Sequence, residues 1–405
     1  MSDLRPDDEP IGRRVARWRV RRRMTQQMLA DQLGKSKSWV DKIERGVRAL
    51  DRFSVIQDVA GVLRVDASVL AGGDARPAAA VGALDEGVDR VRAALARYDT
   101  LLTGPDPRPT PPVADLGRQV AHAWLSYQHA HYPQLVRMLP GLLGDAQRAH
   151  ATEGEAAGAG GLLVQVYRIT ASMLVKLGEA DLAWLAADRA MAVATGDPPL
   201  AAVAAIPLGQ ALRAAGRGRL AMAVTIAAAH RIAPAVPHDG PPQELALCGT
   251  LLVEAALAAA SCGDARSVGE LLDQTGDIAE WVGDGQDHHR TSFGPTSVEL
   301  ARVAAAVDLG DGGAAVTGHE KVVSASGWAL LPVEHRAAHL LDAARAYLHV
   351  GDLLRAGRAL VDAERTAPAE IRHRPTARTV IEAVASAGPV PAGVARLASL
   401  VGLTR

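Results

Sequence analysis

The chain has 405 residues, of which 48% are hydrophobic and 22% charged, and its formal net charge is −1. This length allows two or three domains, and the hydrophobic fraction is high enough to bury a sizeable core. Aromatic residues make up only 3%, which favours helices packed through small residues over β-sandwiches. No apolar run reaches the roughly 18–20 residues of a membrane span, and the polar N-terminus lacks a signal-peptide core.

Charge is distributed unevenly along the chain. Residues 1–70 contain 15 Lys and Arg against 10 Asp and Glu, and residues 11–52 contain 13 against 4. The rest of the chain is net acidic, with 29 basic against 35 acidic residues. Strong positive charge on a small domain indicates a polyanionic partner, although arginine-rich helices are often simply solvated.

The apolar spacing and the capping residues of this basic part predict five helices, at about residues 11–23, 26–33, 37–45, 53–63 and 67–71. Thr25 and Ser36 are the predicted N-caps of the second and third helices. Gly34 and Gly46 are the predicted ends of the same two helices. Two short helices joined by a glycine turn are typical of a helix-turn-helix arrangement.

The third predicted helix has an apolar side and a basic side. Val40 and Ile43 form the apolar side, which we expect to face the core. Its other side carries polar groups that can reach phosphates and base edges from within the major groove, namely Lys37, Ser38, Asp41, Lys42 and Arg45.

The run TQQMLADQLGKSKSWVDKIERGVRAL, residues 25–50, resembles the Cro/C1-type (XRE) DNA-binding domains of phage and bacterial repressors, and the resemblance covers residues 11–71. It implies a double-stranded DNA operator as partner, with Gln26 and Arg45 on the DNA backbone and base reading at the start of the third helix. The alternative is a domain of the same fold that no longer binds DNA. The predicted DNA-binding residues are Gln26, Gln27, Lys35, Lys37, Ser38, Trp39, Asp41, Lys42, Arg45 and Arg48.

Trp39 departs from the pattern of that family, in which a small or hydroxyl residue is more usual at this position. Two interpretations are open: the indole contacts a sugar edge or a thymine methyl, or it packs against a neighbouring helix.

A connector is predicted at residues 72–114, with a hinge at residues 72–79 and a Pro-rich linker at residues 104–112. Between them lies an apolar seam with heptad spacing, formed by Val81, Leu84, Val88, Val91, Leu95, Tyr98 and Leu102. The seam favours a homodimer contact that sets the distance between two DNA-binding heads. The alternative is that this helix packs on the C-terminal domain of its own chain.

From residue 115 to residue 405, helical pairs recur around turn glycines, with small residues five and twelve positions further on. The turn glycines are Gly178, Gly216, Gly263, Gly310 and Gly351. The pattern resembles tetratricopeptide repeats, with an earlier unit at about residues 124–149, and implies an α-solenoid with a concave groove. A non-repeating helical bundle is the alternative. The predicted fold class is all-α, with the helix-turn-helix domain at residues 1–71.

The groove-facing offsets of that repeat family give eight candidate ligand positions: Gln165, Arg168, Ser172, Gln210, Arg213, Thr250, Ser297 and Arg345. Such groups among Val and Leu suit an extended peptide, whose backbone needs hydrogen bonds and whose terminus is charged. The loop SFGPTSV, residues 292–298, resembles a recurring element of actinobacterial regulators with this layout, which usually carry Asn where Ser297 stands.

The sequence shows no convincing catalytic signature, and neither a cofactor nor a metal is predicted. The segment GDGQDHH, residues 283–289, could hold a metal, as could His129 and His131, but a polar loop and helix-packing positions are favoured. The two cysteines, Cys248 and Cys262, are predicted to be buried thiols in a reducing cytoplasm.

The combined layout is similar to that of peptide-pheromone receptor regulators of bacteria. The sequence therefore predicts a cytoplasmic, non-enzymatic transcriptional regulator that is nucleoid-associated when bound and has no membrane partner. We expect a homodimer whose geometry is controlled by a peptide or protein in the repeat groove. A protein-interaction scaffold and an antitoxin-like repressor, both without a small ligand, are the alternatives.

Overall fold

The protein is represented by a computed structural model that describes residues 11–47, 53–63, 65, 76–96, 109–153, 158–234, 240–387 and 392–403. Every regular element within these ranges is helical, so the predicted all-α class is confirmed. The chain divides into two compact units, Met1–Gly82 and Ala83–Arg405.

The N-terminal unit begins with four helices: α1 (Ile11–Arg21), α2 (Gln26–Gln32), α3 (Lys37–Glu44) and α4 (Phe53–Leu63). Their bounds agree with the predicted ones to within two residues, while the predicted fifth helix lies outside the described residues. The buried core of the unit consists of Val15, Leu29, Ala30, Val40, Ile43, Ile56, Val59, Ala60 and Leu63. The apolar side of α3 therefore faces inward, as predicted.

Local side chains determine where α2 and α3 begin and end. Thr25 Oγ1 accepts a hydrogen bond from the backbone N–H three residues further on at 3.1 Å, and Ser36 Oγ accepts the equivalent bond at 3.2 Å. Gly34 and Gly46 follow the two helices with φ angles of 61° and 72°, the left-handed region that glycine adopts without steric cost. Both predicted N-caps and both glycine ends are confirmed.

Helix α5 (Arg76–Leu95) extends into the second unit. The predicted hinge is therefore wrong for residues 76–79, which are helical, and residues 72–75 lie outside the described ranges. The seam prediction also needs correction, because the described seam side chains are only 0–7% exposed within the core of the repeat unit: Leu84, Val88, Val91 and Leu95. A heptad stripe does not specify which helix covers it, and here the chain's own repeats do so. The side chains of Val81, Tyr98 and Leu102 lie outside the description.

Six helical hairpins follow α5 in the described part of the chain. They are α6–α7 (Val113–Gln128, Tyr132–Glu153), α8–α9 (Ala159–Lys176, Ala180–Val193), α10–α11 (Pro198–Ala214, Gly218–Ile232), α12–α13 (Pro242–Ser261, Ala265–Val282), α14–α15 (Pro295–Asp308, Gly312–Ser324) and α16–α17 (Val333–His349, Leu353–Thr366). The chain continues as α18 (Pro368–Arg372), α19 (Pro375–Ser386) and α20 (Ala392–Leu400). The first helix of each hairpin contacts the first helix of the next, which is the stacking of an α-solenoid.

The turns inside the hairpins explain the glycine pattern of the sequence. All five predicted turn glycines have φ angles between 72° and 83°. Four alanines that stand five positions after a turn glycine are 0% exposed between the paired helices: Ala183, Ala221, Ala315 and Ala356. The first hairpin turns instead at Ala130, with a φ angle of 54°, so no glycine marked it in the sequence.

Among the described helices, α12 is long and apolar enough to cross a membrane by length and composition. Its most apolar window is 78% buried against the rest of the chain, as in a central core helix. Cys248 within α12 is buried and Cys262 at its C-terminal end is exposed. The prediction of two buried thiols is therefore confirmed for Cys248 and wrong for Cys262.

The end of the solenoid packs against its beginning through buried charges. Lys176, at the end of α8, forms ion pairs with Glu334 of α16 and with Glu370 of α18, the latter with Nζ 2.6 Å from Oε1. Arg374 Nη1 lies 2.7 Å from Glu370 Oε2. Burial lowers the pKa of Lys176 to about 8 although Glu334 opposes this shift. We call Lys176, Glu334, Glu370 and Arg374 the ionic cluster; its two cations and two anions compensate one another inside the unit.

Candidate nucleic-acid interface and repeat groove

The polar side of α3 is largely exposed. Lys37, Ser38 and Lys42 are exposed on it, and Arg45 follows at the C-cap. Asp41 forms an ion pair with Arg45, so the two lysines dominate the charge of this surface. A helix whose apolar side is anchored and whose other side carries exposed donors has the form that enters a DNA major groove.

The remaining predicted DNA-binding residues differ in how accessible they are. Lys35 is exposed in the turn between α2 and α3, and Gln27 is exposed but donates a hydrogen bond to Asp31 at 2.7 Å. Trp39 is half-buried and packs on the edge of the N-terminal core, which supports the packing interpretation of its indole. Arg48 lies outside the described residues.

A polar cluster behind α3 fixes how the first three helices meet. Glu44 is only 8% exposed and accepts hydrogen bonds from Arg19 Nε at 2.6 Å and Arg19 Nη2 at 3.0 Å. Gln26 Nε2 donates to the same carboxylate at 2.8 Å. The amide of Gln26 therefore joins α2 to α3, and its contact with the DNA backbone stays a prediction. The sequence did not predict the pair formed by Arg19 and Glu44. The available signal was Glu44 itself, an acidic residue next to the inward-facing Ile43 in an otherwise basic run.

Several predicted groove residues meet on the first helices of consecutive hairpins. Ser172 Oγ donates to Gln210 Oε1 at 3.3 Å, and Gln210 Nε2 donates to Glu254 Oε1 at 2.6 Å. Arg213 Nη2 lies 3.4 Å from Glu254 Oε2. Glu254 is 8% exposed and was missed in the sequence, where an acid alone in the apolar run LLVEAAL was the available signal. We call Gln165, Arg168, Ser172, Gln210, Arg213 and Glu254 the groove cluster.

Arg168 is the most deeply buried cation of the groove cluster, with an exposed fraction of 3%. Its guanidinium lies over the ring of Trp124, 4.9 Å from the centroid, and Trp124 Nε1 donates to Gln165 Oε1 at 3.0 Å. Arg168 Nη1 donates to the carbonyl oxygen of His289 at 2.5 Å. Burial lowers the pKa of Arg168 to about 10, which measures how poorly its charge is solvated.

The structure does not bring three predicted groove residues into this cluster. Thr250 Oγ1 donates to a carbonyl of its own helix at 2.7 Å. Ser297 Oγ bonds the backbone N–H and carbonyl of Gly294 at 3.0 and 2.8 Å, and so caps α14. Arg345 is paired with Asp308 at 2.8 Å. Thr250 and Ser297 bond to backbone groups nearby in the sequence, and Arg345 joins α16 to α14; an offset counted from a turn glycine does not reveal such partners.

The segments considered for metal binding have other roles in the structure. No group of three or more His, Cys, Asp or Glu side chains in the described ranges is arranged to hold a metal ion. The ring of His129 lies 2.8 Å from a carbonyl oxygen of its own helix. Asp287, in the segment GDGQDHH, accepts a hydrogen bond from Gln128 Nε2 at 2.8 Å.

Residues 10–71 match the family described as a helix-turn-helix domain. These residues therefore form a helix-turn-helix domain, the DNA-binding fold of many transcriptional regulators, and the predicted helix-turn-helix arrangement is confirmed. No curated protein matches the chain significantly. Among solved structures, the chain is similar to the crystal structure of Bacillus thuringiensis PlcR in complex with the peptide PapR7 and DNA, with 13% identity over 67% of this chain and 95% of that chain, and a TM-score of 0.30. That peptide and that DNA are ligands of PlcR.

Proposed function

We propose that the protein is a sequence-specific transcriptional regulator that inserts α3 into the major groove of an operator. The observation that carries the proposal is the exposed polar side of α3 within a helix-turn-helix domain whose apolar side is buried. Lysine donors match the O6 and N7 acceptors of guanine, and a serine hydroxyl contacts a donor or an acceptor. Lys37, Ser38 and Lys42 are the proposed base-reading residues, and Arg45 is proposed to contact phosphates together with the exposed arginines of α1, Arg13, Arg17 and Arg21.

The repeat unit is proposed to be the sensing part, which holds an extended peptide or a protein partner. Its groove cluster supports this role, because guanidinium and amide groups along consecutive helices can pair with a peptide backbone. A regulator of this kind works where the genome is, and we propose a cytoplasmic protein that is nucleoid-associated when bound. Neither an enzymatic activity nor a cofactor is part of the proposal.

We propose that the protein binds its operator as a homodimer. One α3 reads only a few base pairs, and two copies commonly bind half-sites about 34 Å apart, one helical turn of DNA. Because the described seam residues of α5 are buried within their own chain, the dimer interface has to involve other surfaces.

The test is DNA selection with the purified full-length chain. Genomic fragments are first captured at low salt, and affinity for the enriched sequence is then compared with affinity for random duplex. Lys37→Ala combined with Lys42→Ala is expected to reduce specific binding about tenfold or more and to reduce random binding less, because base contacts are lost with phosphate contacts.

Lys321→Ala is the matched control, because Lys321 is an exposed lysine of the repeat unit whose side chain is 72% exposed. It is expected to leave both affinities unchanged. Failure to capture any fragment at low salt would overturn the proposed function. Equal losses for specific and random DNA would instead show that the two lysines contact phosphates alone.

A further inference from the structure

A loop of the repeat unit reaches the groove cluster and is bonded to its Arg168. The segment Asp284–Ser292 lies in the connection between α13 and α14, and we call it the plug. Its Asp287 side chain accepts the hydrogen bond from Gln128 at the end of α6, and its His289 carbonyl accepts the one from Arg168 of α8. The plug also contacts α12. A single short loop is thus bonded or packed against the first helices of three separate hairpins.

The plug is held in a strained conformation. His289, Arg290 and Ser292 have φ angles of 51°, 59° and 49°, in the left-handed region that residues other than glycine rarely adopt. Asp287 stabilises the turn by accepting a hydrogen bond from Ser292 N at 3.2 Å. Such strain persists only where surrounding contacts over-determine the backbone, and loss of those contacts would release it.

Arg168 is not hydrogen-bonded to a carboxylate in the described part of the chain, and the charges of Asp287 and Glu254 act on it from further away. Its guanidinium directly contacts the Trp124 ring and the neutral carbonyl of His289. A buried cation is costly without a partner of opposite charge, and a hydrogen bond to a charged acceptor is about twice as strong as one to a neutral acceptor. A carboxylate at the position of the His289 carbonyl would satisfy Arg168 better than the plug does.

Space for a ligand side chain adjoins this position. A cavity of about 180 Å³ lies between the plug and the segment that leads into α16. Asp287 and Ser292 line it on the plug side, and Leu330, Leu331 and Val333 line it opposite. An extended chain that replaced the plug could bury one apolar side chain there.

We propose that the plug is an internal ligand of the groove, and that an extended peptide displaces it by presenting its C-terminal carboxylate to Arg168. The inference rests on the proposed function, because it assigns this ligand to the sensing role of the repeat unit. The plug keeps the empty groove closed, and the strain in its backbone lowers the free energy needed to expel it.

The test uses the full-length chain and a hexapeptide with the sequence of residues 284–289, DGQDHH. In this peptide the carbonyl that Arg168 binds becomes part of a terminal carboxylate, and the C-terminal amide of the same peptide is the matched control. The opened variant replaces residues 285–291 with alternating Gly and Ser. It keeps Asp284, whose Oδ2 accepts a hydrogen bond from Thr296 Oγ1 at 2.6 Å at the start of α14. Asp287→Ala is a second, milder variant that removes the contact with Gln128.

Binding of the fluorescein-labelled hexapeptide is measured by anisotropy, with circular dichroism as the test of folding. The opened variant is expected to bind the free acid at least about tenfold more tightly than the wild type does, and about tenfold more tightly than it binds the amide. Arg168→Gln in the opened variant is expected to abolish the difference between acid and amide. Asp287→Ala is expected to give intermediate affinity for the free acid.

Equal binding to the wild type and the folded opened variant would overturn the inference, as would equal affinity for the acid and the amide. The inference would also be overturned if neither the folded opened variant nor folded Asp287→Ala bound the free acid. DNA capture by the same preparations is scored separately. If the peptide binds as expected but no DNA is captured, the proposed function is refuted. If DNA is captured but the peptide does not bind as expected, only the inference about the plug is refuted.

Discussion

The polar side of α3 and the groove cluster use similar residue types in opposite ways. On α3, Lys37, Ser38 and Lys42 are exposed, so they can meet a polyanion without rearrangement of the protein. In the repeat unit, Arg168 is buried and already bonded to the carbonyl of the plug residue His289. The polar side of α3 is therefore accessible to a ligand, whereas Arg168 of the groove cluster is already bonded to another part of the same chain. This difference also indicates that DNA affinity depends on surface charge, whereas ligand affinity depends on the contacts that have to be broken.

The two units also differ in how they keep charges inside. In the described part of the N-terminal unit, Arg19 forms an ion pair with the buried Glu44. The repeat unit has the ionic cluster, in which Lys176 holds two carboxylates. If this contrast is correct, substitutions of internal charges should lower the stability of the repeat unit most. In the N-terminal unit, substitutions of packing residues should change stability, and substitutions of surface charges should change DNA affinity.

The largest effect is expected from Lys176→Met. This change leaves Glu334 and Glu370 buried without their shared cation, and we expect the free energy of unfolding of the repeat unit to fall by about 3–5 kcal/mol. Guanidinium denaturation followed by circular dichroism measures it. Arg266→Ala is the control, because Arg266 forms an exposed ion pair with Glu270. This variant should leave the guanidinium concentration at the unfolding midpoint unchanged. Equal effects of the two variants would contradict the role of the ionic cluster.

Gly12→Ala should weaken the N-terminal unit without affecting the repeats. A Cβ atom at Gly12 would lie 2.0 Å from the carbonyl oxygen of Ile43, so α1 and α3 would have to separate, at a cost of about 1–3 kcal/mol. Hydrogen exchange in peptides from residues 11–47 reports the change. Gly61→Ala, which meets no atom within 4 Å, should stabilise α4 by about 0.5–1 kcal/mol. Equal exchange in the two variants would show that the helices tolerate the extra atom.

Asp41→Asn should strengthen DNA binding by removing the negative charge that pairs with Arg45 on α3. At low salt we expect affinity for random duplex to rise about threefold to tenfold, and the gain to shrink as salt is added. Asp58→Asn makes the same charge change at an exposed position of α4 and should raise the affinity less. Identical gains would mean that net charge, and not the surface of α3, controls binding.

His335→Gln should give the smallest effect, visible in the pH dependence of stability. Burial lowers the pKa of His335, but the charge of Glu334, 2.9 Å away, outweighs this and raises the pKa above its ordinary value of 6.5. A raised pKa in the folded state contributes stability that is complete below about pH 6.5 and is lost as pH rises through the folded value. The wild type should therefore exceed the variant in Tm by about 1–3 °C near pH 5.5 and by less near pH 9. A difference independent of pH would rule out the charge interaction.

Features determined by neighbouring residues were predictable from the sequence. The caps at Thr25 and Ser36 and the turn glycines such as Gly178 depend on a few adjacent positions, and the structure confirms them. The inward side of α3 followed from helical spacing alone. The apolar seam was recognised as buried, but its spacing does not tell whether a second copy or the same chain covers it.

Features that depend on distant residues were not predictable. The bond from Arg168 to the plug joins positions 121 residues apart, and the bond from Lys176 to Glu370 joins positions 194 residues apart. No local pattern reports such pairs, so Glu254 was recognisable only as an isolated acid in an apolar run, and Glu334 and Glu370 carried no such signal. The plug itself was noticed as a polar segment with a weak metal signature, and only the fold shows which helices it meets.

The separation between Lys176 and Glu370 has a consequence for how the protein is made. Ordinary helical repeats contact only their neighbours and can fold one after another as they leave the ribosome. Here Lys176 emerges 194 residues before its partner, an interval of about 10–40 s at about 5–20 residues per second. During translation this contact between α8 and α18 therefore forms late, because it requires the chain to have been made beyond residue 370.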